Sequence, residues 1–238
     1  MRKFILAVFL MCSPAWAAIA LVTNTKVAGN GTTPAINTTG ANLLTIKMVE
    51  FGASPPAPTD SLSNTWTKCG AEAISGNSHA QIYYAKNATV GAAQTFTVAG
   101  GSFPSLFAAS WSGVDTSAPC DQTGTGTVTG GQDTVLSSVT PSQNNELIIT
   151  VLSNNSSDNP TVDSGFTKQD TQLSTSNEGV AWAYLIQGTA AAVAPTWHTA
   201  GSSNQAACIA TFKAAAAGGA GGASVGGTAK VGGTGKIG

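Results

Sequence analysis

Apolar residues in this chain recur mainly at every second position, in short runs separated by clusters of Gly, Thr, Ser, Asn and Pro. A spacing of two places side chains alternately on the two faces of a β-strand, whereas helices need spacings of three and four. The pattern therefore predicts an all-β protein. About twelve strands are expected, at residues 20–27, 42–51, 65–69, 80–86, 94–98, 105–113, 126–136, 146–153, 166–170, 179–187, 194–198 and 205–213.

The same pattern of strands occurs twice, with a period of about 100 residues, and such repetition sets the architecture of a fold. The matching bulky residues are Trp66 with Phe166, Ile82 with Trp182, Tyr84 with Tyr184, Phe96 with Trp197, and Trp111 with Phe212. We expect degenerate half-repeats at 19–114 and 125–213 that interleave in one jelly-roll-like antiparallel β-sandwich. The alternative is two small sandwiches, with the Gly-rich stretch 123–131 as the linker between them.

The paired aromatic residues are interpreted as core, because two halves share packing needs more readily than they share ligands. Tyr83 differs, since its counterpart is Ala183 and strand alternation points it away from Ile82 and Tyr84. It is therefore the first candidate for an exposed, ligand-binding aromatic. Phe103, in a Gly-Gly-Ser-Phe-Pro loop, is the second.

The two ends of the chain differ from the rest. Arg2 and Lys3, the apolar run 4–11 and the sequence Ala15-Trp16-Ala17 are typical of an export signal cleaved after Ala17. This apolar run is shorter than the roughly 20 residues that a membrane-spanning helix needs. The sandwich is expected at 18–213, followed by a flexible Gly/Ala-rich tail at 214–238. The alternatives are an uncleaved N-terminal segment and a tail that orders on a partner.

Only 9% of the residues are charged, against about 25% in an ordinary domain. The chain carries ten basic and eleven acidic residues, and losing Arg2 and Lys3 makes it more acidic. Nucleic-acid binding needs a basic face, so we expect no such partner, and no membrane span in the mature chain. Thr, Ser, Asn and Gly leave a neutral surface rich in hydrogen-bonding groups, and oligomers are compatible with it.

Three cysteines follow the export signal, so one thiol is either unpaired or paired between chains. Cys208 lies in an apolar run and is expected to be a small buried hydrophobe. Cys69 and Cys120 are then expected to form a disulfide.

No catalytic residues and no cofactor are expected from the motifs. His79 and His198 are accompanied by no G-x-S-x-G nucleophile motif and no zinc-ligand cluster. A glycosidase would need two facing carboxylates, and the spacing does not select among Glu50, Glu72, Glu146 and Glu178. No metal site is expected either. The calcium-type oxygen ligands Asp158, Asn159 and Asp163, and Asp115 with Asp121, match no ordered spacing and are interpreted as solvated turns.

Four segments carry a resemblance that covers about residues 42–212. They are Leu43-Leu44, Trp66-Thr67, Tyr83-Tyr84-Ala85-Lys86, and Gly113-Val114-Asp115-Thr116-Ser117. This pattern resembles a β-sandwich module of exported bacterial proteins and of phage tail or virion proteins. The resemblance implies the fold and carries no known chemistry, so no functional residue follows from it.

The sequence thus predicts a non-catalytic, exported β-sandwich that binds a surface, a glycan or a protein, in the periplasm, on the cell surface or outside the cell. The first alternative is a structural subunit of a phage tail, virion or appendage, located in the virion. The second is a polysaccharide-active enzyme.

Overall fold

The computed structural model of the protein describes residues 18–156, 158–163, 165–173 and 179–216. The predicted export signal and residues 217–238 of the predicted tail lie outside these ranges. The described residues form antiparallel strands and no α-helix, which confirms the all-β prediction. Consistent with this, the described ranges contain no helix long and apolar enough to cross a membrane.

The strands lie close to the predicted positions, with four short strands added in loops and the strands predicted at 194–198 and 205–213 joined into one. They are β1 (Ala20–Ala28), β2 (Gly31–Thr32), β3 (Leu43–Phe51), β4 (Thr59–Asp60), β5 (Thr67–Lys68), β6 (Ala73–Ser75), β7 (Ser78–Lys86), β8 (Phe96–Val98), β9 (Ser105–Ser112), β10 (Cys120–Val135), β11 (Glu146–Asn154), β12 (Thr161–Val162), β13 (Thr167–Leu173), β14 (Gly179–Gln187) and β15 (Thr196–Phe212).

Each half of the chain builds its own large sheet. Sheet one has the order β1-β9-β3-β7-β5, with β6 also paired to β7, and sheet two has the order β10-β15-β11-β14-β13, with β12 also paired to β15. The orders are equivalent, since β1 corresponds to β10, β9 to β15, β3 to β11, β7 to β14, and β5 to β13. The halves therefore stack face to face instead of interleaving, because every strand pairing in the two large sheets joins strands of the same half.

The inner faces of the two sheets form one continuous core. Trp111 and Phe212 are fully buried there, with Ile82 and Trp182 beside them. Such rings bury large apolar areas, and burial is the main force that holds the sheets together. The interpretation of the paired residues as core is confirmed for these four, whereas Tyr84 and Tyr184 are only partly buried against the same interior.

The outer faces of both sheets are covered as well. On sheet one, the three-stranded sheet β2-β8-β4 covers a second cluster that includes Met48, Tyr83 and Phe96. On sheet two, a third cluster contains Ile148 and Trp197. Trp66 and Phe166 are half-buried against these outer clusters. Strands β3 and β11 are consequently buried on both faces, which explains their nearly continuous apolar sequences.

The Gly-rich stretch 123–131 is the interior of strand β10, so the alternative of a linker there is wrong, and the strand predicted at 126–136 begins earlier, at Cys120. Irregular pairing between Val128 and Gly131 lets β10 bend while it remains paired to β15. A side chain on Gly126 would collide with the backbone of Val135. These glycines are needed because backbone segments approach closely, which a composition pattern cannot distinguish from a flexible linker.

Cys69 and Cys120 form the expected disulfide, which joins the segment after β5 to the start of β10 and so ties the two sheets together. Cys208 is a free and buried cysteine, as expected, and burial raises the pKa of its thiol to about 12. The described chain also packs beyond the expected boundary of the sandwich. Ala214 is buried and pairs with Val114.

Lys47 is fully buried between the sheets. Its Nζ lies 3.7 Å from the ring centroid of Trp182 and donates a 3.4 Å hydrogen bond to Thr45 Oγ1. Among the described residues no carboxylate lies within ion-pair distance of it. Burial therefore lowers the pKa of Lys47 well below its usual value.

We expect Lys47→Met to raise the free energy of unfolding by about 1–3 kcal/mol at pH 7, because Met fills a similar space without a polar group to desolvate. The unfolded lysine binds a proton up to a higher pH than the folded one, so this residue makes stability rise with pH. The variant should lack that rise over the pH range that lies below the ordinary lysine pKa of about 10.4. Urea unfolding across this range measures both effects.

Lys86→Met is the control for Lys47→Met, since it removes one positive charge from an exposed position. A loss of stability in Lys47→Met would show that the contact with the Trp182 ring outweighs the cost of burying the amine.

Candidate functional site

One end of the sandwich gathers several of the polar and aromatic residues selected from the sequence. We call it the apex and define it by Glu50, Phe51, Glu72, His79 and Phe103. It lies where β3 ends, β7 begins and the loop before β9 turns back. Glu50 and His79 are cross-strand neighbours on β3 and β7, and Ile74 of β6 pairs with His79.

Glu50 holds the loop that carries Phe103. Its side chain is buried, and Oε1 accepts hydrogen bonds from the backbone amides of Ser102 at 2.6 Å and Phe103 at 2.8 Å. Gly101, at φ +87°, packs directly on the carboxylate, where a side chain would collide. Burial raises the pKa of Glu50, while the amide hydrogen bonds act against that rise. Oε2 has no hydrogen-bond partner among the described residues.

Phe103 is 42% exposed at the tip of this loop, as predicted. Its ring centroid lies 6.3 Å from that of Phe51, in a tilted arrangement. The contact supports the ring, while much of the residue remains exposed to solvent. Phe103 is thus an aromatic group presented on a loop whose backbone is fixed.

Tyr83 is buried, only 3% exposed, so the prediction that it is an exposed aromatic is wrong. Its ring does point away from Ile82 and Tyr84, as alternation requires, but that face of the sheet is covered. The hydroxyl donates a 3.3 Å hydrogen bond to the carbonyl of Pro55, and Lys68 Nζ lies 5.9 Å from the ring centroid. Alternation assigns a residue to a face and says nothing about what covers that face.

Two of the four candidate carboxylates lie near His79. Glu72 Oε1 forms a 2.6 Å hydrogen bond with His79 Nδ1, and Glu50 is the cross-strand neighbour of His79. Glu146 is buried at the opposite end of the sandwich, where burial raises its pKa, and it hydrogen-bonds with Ser142. Glu178 lies outside the described residues.

The acidic side chains of these turns accept backbone amides, within the same turn for Asp115 and from distant segments for Asp158 and Asp121. Asp158 Oδ2 accepts the amides of Ala200 and Gly201, Asp115 accepts the amide of Ser117, and Asp121 accepts the amide of Ser142. Among the described residues there is no group of three or more His, Cys, Asp or Glu placed to hold a metal ion.

His198 lies between two carboxylates, an arrangement that sequence spacing did not indicate. Its Nδ1 is 3.0 Å from Asp133 Oδ1 and its Nε2 is 3.1 Å from Asp163 Oδ1. Hydrogen bonds with Asp163 and Asp133 raise the pKa of His198. Hydrogen bonds from the amide of Thr196 and from His198 lower the pKa of Asp163. The three residues come from β10, β15 and the segment after β12, so only folding brings them together.

The comparisons with known proteins identify no relative. No protein-family model matches the chain, and no significant similarity to a curated protein or to a solved structure was found. The function is therefore argued from the geometry alone.

We expect the imidazole of His198 to titrate with a midpoint above 6.5, which NMR of its ring protons can measure. A raised pKa in the folded state stabilises the protein below about pH 6.5, and this contribution is lost as pH rises through the folded midpoint. His198→Gln should lower the free energy of unfolding by about 0.5 kcal/mol at pH 5.5, a small value because the site is exposed. At pH 8.5 it should have little effect, and a midpoint below 6.5 would contradict the prediction.

Proposed function

We propose that this chain is a non-catalytic, exported binding module that engages a glycan or a protein surface through its apex. The observation that supports this most strongly is an exposed Phe103 on a loop pinned by the buried carboxylate of Glu50. Binding sites commonly rely on a few aromatic anchors. An anchor held rigid before binding loses little conformational entropy when a partner arrives.

The position of the two ends of the described chain supports the same proposal. Chain entry and exit meet at the base, the end opposite the apex, where Gly113 packs on the carbonyl of Ala18 and accepts the amide of Ala215. Strand β9, which begins beside Phe103 and ends beside Gly113, separates the two ends. A module that enters and leaves at its base presents its apex away from whatever carries it.

The apical polar groups favour binding over catalysis. Oε1 of Glu50 is already occupied by two backbone amides, and the carboxyl group is buried. The Glu72–His79 pair resembles part of a catalytic triad. However, no hydroxyl or thiol of the described residues forms a hydrogen bond with the His79 ring. We therefore assign these residues to holding the apex in shape.

We expect Phe103→Ala to weaken binding at least tenfold, since losing a central aromatic anchor costs about 2 kcal/mol or more. Glu50→Ala should also weaken binding, because the loop loses the acceptor that fixes the Phe103 amide. Glycan arrays and pull-downs with the chain from residue 18 onward provide the ligand, and titration of the purified ligand gives the affinities.

Ile186→Ala is the matched control, because Ile186 is similarly exposed at 37% but lies near the base. Its substitution should leave the affinity unchanged. Blank arrays and blank pull-downs, or equal losses in Phe103→Ala and Ile186→Ala, would contradict the proposal.

A further inference from the structure

A groove of about 500 Å³ lies on the side of the sandwich, along strand β13. We call it the edge groove. Its lining residues are Asn159, Lys168, Gln169, Asp170 and Thr171. Strand β13 is the last strand of sheet two and pairs only with β14 among the described residues. The volume lies within the range of small-molecule sites, although the lining contains no aromatic or large aliphatic side chain.

Asn159 is fixed in one orientation. Its Oδ1 accepts hydrogen bonds from Lys168 Nζ at 2.7 Å and from Thr171 Oγ1 at 3.1 Å. Its amide nitrogen has no acceptor among the described residues, and neither has the side-chain amide of Gln169. Both can therefore donate to a ligand.

The two lysines at the edge groove differ in how they are neutralised. Lys26 Nζ forms a 2.7 Å ion pair with Asp170 Oδ1 and a 3.0 Å bond with the carbonyl of Thr171. Among the described residues, Lys168 Nζ bonds only to uncharged oxygens, Asn159 Oδ1 and the carbonyl of Pro160 at 2.9 Å. An ammonium has three N–H groups, so Lys168 keeps one donor and an unbalanced positive charge.

The comparison of the two halves shows that this arrangement is specific to the second. Lys68, the counterpart of Lys168, lies near the Tyr83 ring in the first half. In the second half Ala183 stands at the position of Tyr83 and provides no ring, and Lys168 turns to Asn159 instead. Strand β5, the counterpart of β13, has only two residues and is followed by the disulfide-bonded Cys69. The edge groove is therefore not required by the duplicated core.

From this geometry we infer that the edge groove binds an oligosaccharide bearing a carboxylate, such as a uronic acid polymer. Donors exceed acceptors in the lining, which suits hydroxyl and carboxylate oxygens. The unbalanced charge of Lys168 selects an anion, and a charge-assisted hydrogen bond to it is stronger than a neutral one. The polar lining excludes ligands that bind through apolar burial. This site is separate from the apex and does not rest on the function proposed for it.

The test is calorimetric titration of the chain from residue 18 onward with trigalacturonate at low salt. Maltotriose is the neutral probe, and sulfated maltotriose, which carries sulfate groups and no carboxylate, is the non-carboxylate anion. Trigalacturonate should bind and maltotriose should bind at least tenfold more weakly. Amide NMR shifts on adding trigalacturonate should centre on residues 159–171.

Lys168→Met should weaken trigalacturonate binding about tenfold or more, since a hydrogen bond to a charged group is worth about 1.5–3 kcal/mol. Lys68→Met is the matched control, and it should leave the affinity for trigalacturonate unchanged. Phe103→Ala should leave this affinity unchanged as well. Gln169→Ala removes a side chain without described hydrogen bonds, so it should fold normally and bind about threefold more weakly.

Four results would overturn the inference. They are absent binding, equal affinity for maltotriose, preference for the sulfated sugar, and an equal loss of affinity in Lys68→Met and Lys168→Met.

Discussion

The face-to-face burial of two sheets, each made by one half of the chain, is the interaction on which the rest of this structure depends. Aromatic rings form the centre of this interface. The ring centroid of Trp111 lies 5.1 Å from that of Tyr184 and 6.4 Å from that of Trp182, both in edge-on contacts. The stacked sheets are also joined near both sides, by the Cys69–Cys120 disulfide and by the Lys26–Asp170 ion pair. Because the interior is filled by packed side chains, a binding partner can only contact the ends and edges of the sandwich.

Those surfaces are where the two halves differ. The inner rings have counterparts in both halves because both sheets must fill the same interior. Glu50 holds the apical loop in the first half, and Asn154 stands at its position in the second half. His79, the cross-strand neighbour of Glu50, corresponds to Gly179. At the edge groove, Lys168 and Ala183 replace the stacked Lys68 and Tyr83. The two halves of a duplicated fold can therefore be compared with each other. Positions with similar residues in both halves serve packing, and positions that differ are open to other roles.

Much of the fold could be predicted because strand alternation and the repeat are local or periodic signals. The disulfide followed from elimination, since Cys208 lay in an apolar run and was indeed buried. The candidate sites were harder to predict. Phe103 was found because its Gly-Gly-Ser-Phe-Pro loop is a local signal, whereas the Asp133–His198–Asp163 contacts join residues up to 65 positions apart. Pairings of that kind depend on register, which composition does not encode.

The sequence by itself determined the strands, the duplication, the aromatic core and the cysteine pairing, because each follows from side-chain type and spacing along the chain. Only the tertiary structure decided which faces are covered. It buried Tyr83 beneath a Pro-containing loop, extended strand β10 back through residues 120–125, and buried Lys47 between the sheets without an ion-pair partner among the described residues. The reason is physical: alternation divides residues between two faces, but solvent exposure depends on what packs against each face, and those contacts come from segments distant in sequence.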